Sequence, residues 1–278
     1  MKAVDKLLFG TAGTPNSTKP RDSITALKRL KELGLDSMEL EYVRGTFPGE
    51  QKACEIASAA KENNIRLTVH GPYYINLNSQ EHEKVEASRA RIIKTAKFGS
   101  LSGAESITFH PGFFHGQDTG EVYRRIHKEI EDIVKKVRQM NIDVDIRPEL
   151  TGSPAQLGSL EEIISLSEEI DGVYPCIDWS HLHARTGANN TAKEFQSVLD
   201  FMKSKLGEQS LKSIHMHISG IEYGSKGEKK HLNLDESDFN YKDLMHVLKD
   251  NGVFGFVVCE SPSLEDDALI LKEYYEKI

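Results

Sequence analysis

Cysteine and tryptophan are scarce in this chain, with three Cys and one Trp among 278 residues. Cys54, Cys176 and Cys259 are odd in number, far apart and set in apolar segments, which excludes a disulfide scaffold and reads as reduced core thiols. Long hydrophobic runs are missing too. No stretch approaches the roughly 18 apolar residues that suggest a membrane span, and the opening MKAVDKLLFGTAG lacks the apolar length and cleavage site of a signal peptide. The expectation is a cytoplasmic protein with no membrane partner. Basic charge is in deficit, with 35 Lys and Arg against 43 Asp and Glu and a formal net charge of −8. Broad electrostatic grip on nucleic acid requires the opposite balance, so contact with DNA would need a local patch around a site, helped by bound cations.

What is present is a repeated alternation. Short β-branched or apolar runs are predicted as strands over 6–11, 37–42, 65–70, 106–110, 143–149, 173–178, 211–217 and 254–260, and longer amphipathic stretches separate them. Leu27, Leu30 and Leu33 share one face of a predicted helix over 22–33, and Ile126, Ile130, Ile133 and Val137 share one face of another over 122–140. Gly34, Asn63, Asn64 and Gly252 stand where helices should stop. Eight strand–helix units with right-handed crossovers predict a (β/α)8 TIM barrel. With no linker or change of composition regime, residues 1–278 are expected to form a single domain.

The metal-binding residue types fall in register with that repeat. His70, His110, Glu149, Asp178, His217 and Glu260 each stand at the C-terminal end of a different predicted strand, from the third to the eighth. They are spaced 40, 39, 29, 39 and 43 residues apart, close to the roughly 35 residues of one βα unit. Barrel active sites lie at that face, so six groups distant in sequence converge there. Carboxylates packed together repel unless cations neutralise them, and the imidazoles beside them suit zinc, manganese or iron better than magnesium. His181, three residues past Asp178, and His231, in GSKGEKKHLNLDES, enlarge the set to eight groups. One ion takes about four donors, so eight groups serve two or three ions. His215 competes with His217, since residues two apart on a strand point the same way; His217 is preferred because it lies further toward the C-terminal end. The remaining histidines, His82, His115, His127, His183 and His246, are expected to be surface or packing residues.

These motifs resemble those of the endonuclease IV family, the second class of apurinic/apyrimidinic endonucleases within the xylose-isomerase-like barrels. The resemblance rests on HGPYYINL from His70, HPG from His110, Glu149 of PELTG, D-x-x-H at Asp178 and His181, and the terminal Glu260-Ser, in the family's order over about residues 65 to 260. It implies a trinuclear Zn2+ site, with Mn2+ or Fe2+ as alternatives. His70 and His110 would hold one ion and Glu149 would bridge to a second held also by Asp178, His217 and Glu260. His181 and His231 would hold the third. Glu149 and Glu260 are the carboxylates it assigns to catalysis. The implied reaction is hydrolysis of the phosphodiester 5′ to an abasic site in damaged double-stranded DNA, leaving a 3′-hydroxyl and a 5′ deoxyribose phosphate, and the expected assembly is a monomer. Tyr73 and Tyr74 become substrate-contacting residues by the same resemblance.

One position departs from the pattern. Where the family has D-x-H before its last histidine, Lys229 occupies the aspartate position, which removes an oxygen donor and adds a positive charge. Glu228 or Asp235 could supply the donor from a flexible loop, or Lys229 could itself contact phosphate in place of an ion. Two other readings stand beside this one. A sugar isomerase or epimerase of the same barrel group would use Glu149, Asp178, His217 and Glu260 around one ion. A noncatalytic metal-dependent nucleic-acid binding module is disfavoured by the negative charge.

Overall fold

The computed structural model describes residues 5–278. Eight parallel strands form one sheet: β1 Leu7–Ala12, β2 Ser37–Glu41, β3 Arg66–His70, β4 Ser106–Phe109, β5 Asp145–Pro148, β6 Cys176–Asp178, β7 Ile214–Ile218 and β8 Gly255–Cys259. Each strand pairs with its neighbours in sequence, and β1 pairs with β8. Between β5 and β6 the ladder thins to parallel bridges at Ile146–Val173 and Glu149–Cys176. Those bridges close the ring, giving the TIM barrel expected from the repeat. Strand ends differ from the sequence reading by a few residues. The starts of β6 and β7 move most, each by three residues; at β6 Pro175, which has no N–H to give a ladder, leaves only Cys176–Asp178 as strand.

The helices form where capping and periodicity favour them. Asp22 caps α1 (Ser23–Leu33) by accepting from the Ile24 and Thr25 amides, and Gly34 ends it in the left-handed region at φ 74°. Helix α4 (Thr119–Gln139) buries Val122, Ile126, Ile130, Ile133, Val134 and Val137 as one stripe. Outward residues such as Leu67, Val69, Ile107, Phe109, Ile146 and Met216 join these stripes in one continuous apolar core between barrel and helices.

Strand alternation sends the other set of residues into the barrel, and that set is largely polar. The separate interior apolar cluster is small, built on Leu8, Phe256 and Val258. The rest of the interior carries Glu39, Thr68, Ser106, Thr108, Arg147, His215 and His217, all buried. Cross-barrel contacts hold these groups: Ser106 Oγ lies 3.0 Å from His215 Nδ1, and Arg147 donates to the Ser213 carbonyl at 3.0 Å. A barrel filled with aliphatic layers needs none of this. Buried polar groups on this scale require partners, and they stack upward into the strand-end cluster.

Candidate metal centre

The C-terminal ends of β3 to β8 bring six strand-end groups together. Glu149, just past β5 and 1% exposed, is central. Its Oε2 lies 3.1 Å from His70 Nε2, while its Oε1 lies 3.2 Å from His110 Nε2, 3.4 Å from His217 Nδ1 and 3.4 Å from His181 Nδ1. His217 Nδ1 is also 3.6 Å from Glu260 Oε1 and 3.9 Å from Asp178 Oδ2. Asp178 has two tasks. Its Oδ1 caps helix α6 (Trp179–Thr186) by accepting from the His181 amide at 2.7 Å, which fixes His181 on the first turn facing the barrel mouth. Its Oδ2 and His217 Nδ1 are buried without a hydrogen-bond partner among the described residues.

The electrostatics show what such a cluster needs. Burial pushes the Glu149 carboxyl up, but the facing His110 and His217 hold it well below the usual carboxylate range. Burial opposes charge on His70, yet its contact with Glu149 lifts it to about 10. His181 is raised in the same way by Asp178 and Glu149, and His231 is raised to about 9 by Glu228 and Glu260, each against its own burial. Asp178 is pushed up by burial. In the chain alone, protons on the imidazoles balance the carboxylates. Divalent cations do the same work with proper coordination, and the buried Oδ2 and Nδ1 atoms left without hydrogen bonds fit that role.

The third set of donors differs from the sequence reading. His181 Nε2 and His231 Nε2 are 3.3 Å apart, and Glu228 reaches both, with Oε2 3.2 Å from His181 Nε2 and Oε1 3.4 Å from His231 Nε2. Lys229 does not join them: its side chain is 58% exposed and paired with Glu222 at 3.2 Å. The segment expected to be a flexible loop is an antiparallel hairpin of Gly220–Gly224 with Gly227–Leu232. Its pairing runs Glu222 to Lys230 and then Tyr223 to Glu228, so Lys229 is the extra residue of a bulge. On a flat strand, residues three apart face opposite ways, but one bulged residue between them restores a common face. Glu228 and His231 therefore point inward together, as residues two apart would without a bulge. The Glu228 amide donates to the Gly152 carbonyl at 3.0 Å, and a Cβ on Gly152 would lie 2.6 Å from Glu228 Cβ and Oε2. That close approach needs glycine. Asp235, the other candidate donor, is exposed in a short 3-10 turn.

Further residues missed in the sequence stand on β2. Glu39 is fully buried beneath the cluster, with Oε1 3.0 Å from His217 Nε2 and Oε2 2.9 Å from His215 Nε2. Glu41 follows two residues on, its carboxyl raised to about 8 by burial. Alternating glutamates in the short run SMELE were the available signal. His217 faces the mouth through Nδ1, whereas His215 lies one layer below it against Ser106 and Glu39, which fits the preference for His217. Tyr73 and Tyr74 are each 62% exposed at the rim, Tyr73 edge-on to His70 with ring centroids 5.5 Å apart. The expectation for the cysteines holds for Cys176 and Cys259, which are buried and free, but not for Cys54, which is exposed on α2 (Glu50–Asn63). Its helix buries Ala53 and Ile56 and turns Cys54 to solvent.

Known proteins share this architecture. The sequence profile of the xylose isomerase-like TIM barrel family matches residues 27–277. An uncharacterized protein of Methanocaldococcus jannaschii is 42% identical over 98% of each chain, and a probable endonuclease 4 of Mycoplasma genitalium is 24% identical over 75% of this chain and 71% of its own. Among solved structures, endonuclease IV from Thermus thermophilus superposes with a TM-score of 0.75 at 16% identity, covering 97% of this chain and 100% of that one. A D-tagatose 3-epimerase-like protein superposes with a TM-score of 0.69 at 17% identity, covering 92% and 96%. These likenesses bear out the family read from the motifs. The chain belongs to the xylose isomerase-like TIM barrel family.

Proposed function

We propose that this protein is a metal-dependent phosphodiesterase that cuts duplex DNA 5′ to an abasic site. The observation that carries the reading is the number and grouping of donors. His70, His110 and Glu149 form one set, and Glu149, Asp178, His181 and Glu260 a second beside His217. His181, His231 and Glu228 form a third. A one-ion epimerase needs only Glu149, Asp178, His217 and Glu260 and gives no role to the third set. Bound ions would supply Lewis acidity and neutralise the charge of a phosphate held between them; the all-nitrogen-and-oxygen donor set suits zinc, with manganese or iron as alternatives. Glu149 contributes a carboxylate kept ionised by its histidine neighbours. Tyr73 and Tyr74 offer exposed rings at the rim on which a displaced base or sugar can rest. The family likeness and the relatives named endonuclease 4 support the same substrate class. An enzyme acting on duplex DNA works in the compartment that holds it, and among the described residues no helix is long and apolar enough to cross a membrane.

The test is incision of a duplex carrying one abasic site by protein loaded with zinc or manganese, with a ketohexose offered in parallel. The proposal expects one cut on the 5′ side leaving a 3′-hydroxyl, lost on chelation. An intact duplex together with an epimerised sugar would overturn it.

A further inference from the structure

One layer beneath the strand-end centre, inside the barrel, lies a second group of donors that the proposed reaction does not use. Cys176 sits on β6 opposite His215 on β7, one rung below the Asp178–His217 pair. The ligand atoms of Cys176, His215 and His217 lie within 4.8 Å of one another. Cys176 Sγ is 3.7 Å from His217 Nε2, and the two Glu39 oxygens stand 3.0 and 2.9 Å from His217 Nε2 and His215 Nε2. All four residues are at 0% exposure.

The alignment of these atoms points to what they share. His215 Nε2 and Glu39 Oε1 stay outside well-aligned hydrogen bonds despite those short distances. A ring N–H bonded squarely to a carboxylate points at its oxygen; here each imidazole nitrogen crowds its own Glu39 oxygen without that alignment, and a cation set among them would be held by all. The separations agree with such a centre. Zinc–ligand bonds of about 2.3 Å to sulfur and about 2.0–2.1 Å to nitrogen or oxygen place tetrahedral donors about 3.6 Å (sulfur–nitrogen) and about 3.3 Å (nitrogen–oxygen) apart. The observed 3.7 Å matches the first, and 2.9–3.0 Å falls a few tenths below the second. The surrounding hydroxyls orient the donors as ligands are usually oriented: Ser106 Oγ engages His215 Nδ1 at 3.0 Å, leaving Nε2 turned inward, and Thr68 donates to Glu39 Oε2 at 2.7 Å.

We propose that Cys176, His215, His217 and Glu39 form an interior transition-metal site, separate from the strand-end centre and joined to it through the two ring nitrogens of His217. A thiolate with imidazoles selects zinc and its chemical relatives over magnesium or manganese. Four protein donors closed to solvent make a structural rather than a catalytic site. An ion there ties β2, β6 and β7 across the barrel and fixes the ring of His217 for the layer above. Loading it sends the Cys176 thiol proton to solvent, since only the thiolate ligates, and with both centres filled the remaining His217 N–H proton leaves as well, so that the ring bridges the two ions as imidazolate. The site stands on its own donors and does not depend on what the strand-end centre acts upon.

Sulfur makes it separately visible, because the strand-end donors are all nitrogen and oxygen. Metal-stripped full-length protein is titrated with Co2+ and followed by near-ultraviolet absorption. The expected result is a thiolate-to-cobalt charge-transfer band whose final intensity corresponds to one Co2+–thiolate per chain, which persists in Cys54→Ser and is absent from Cys176→Ser, which binds one ion fewer. A wild-type protein that binds Co2+ with no sulfur band overturns the proposal without any variant having to fold. A band that survives Cys176→Ser overturns it equally, leaving Glu39 as a carboxylate that only orients His217.

Discussion

Glu228 and Lys229 are adjacent in sequence and opposite in role. Glu228 lies between His181 and His231, and Lys229 is turned to solvent against Glu222. Glu228→Ala should therefore lower the metal content by one ion per chain and slow incision about 100-fold, the scale on which loss of one group stabilising transition-state charge is felt. Lys229→Asp should change neither; elemental analysis beside a cleavage assay separates the pair, and a metal gain in Lys229→Asp would contradict the placement of Glu228. Glu149→Gln should abolish turnover with the fold retained, because four histidines meet this one side chain while the apolar core lies outside the barrel. Near-normal activity in that variant would remove Glu149 from the bridging role. Much of this centre was legible in the sequence because strand-end histidines and carboxylates recur with the barrel's own period. Glu228 was ambiguous, since its facing depends on a bulge that residue spacing does not reveal. Glu39 and Glu41 were hidden for another reason: strand β2 reads as an ordinary buried strand, and interior glutamates acquire meaning only when His215 and His217 arrive from across the barrel.

At the scale of elements, the hairpin is the part on which the third donor set depends. Its register, with the bulge at Lys229 and the Glu228 amide bound to the Gly152 carbonyl, turns two residues three apart toward the same side. Inserting one alanine between Lys229 and Lys230 should swing Glu228 away from His231 and cost one ion, while thermal stability changes little, because the inserted residue lies on an exposed hairpin. Gly152→Ala should act on the same contact by crowding Glu228 and His181. If metal content in both variants equals that of the wild type, the hairpin does not present a ligand. The eightfold order of strands and the amphipathic stripe of α4 were readable because periodicity and caps agree over long segments. The hairpin was not: GSKGEKKHLNLDES is polar and glycine-containing, so its local signal is that of a loop, and tertiary anchoring on Gly152 decides otherwise.

For the whole molecule, the cluster links stability, protons and metal. His70 at about 10 and His231 at about 9 are raised above the ordinary 6.5, so their contribution to the metal-free fold is complete below about 6.5 and fades as pH rises through 9 to 10. Glu41, raised to about 8 from 4.5, acts in the same direction from about pH 4.5 up to about 8. Glu228, depressed by His181 and His231 against its burial, contributes above its ordinary 4.5 and loses that contribution on acidification. Metal-free protein should thus melt highest at about pH 4.5 to 5 and lose melting temperature progressively toward pH 9, a loss that zinc removes by taking the place of the protons. A flat profile for the stripped protein would show that the imidazoles are not its internal counter-charges. The net charge of −8 means that the proposed action on DNA requires attraction for phosphate to be concentrated at such a centre rather than spread over its surface.

The count of ions at the strand-end centre tests the account most directly. Elemental analysis of the Cys176→Ser chain, stripped and reloaded with zinc, reads that centre without the interior site, because none of its nitrogen and oxygen donors is altered. The account predicts three ions per chain, one for each set of donors around Glu149, Asp178 and Glu228. A single ion would contradict it and leave one sphere of four ligands at the mouth of the barrel.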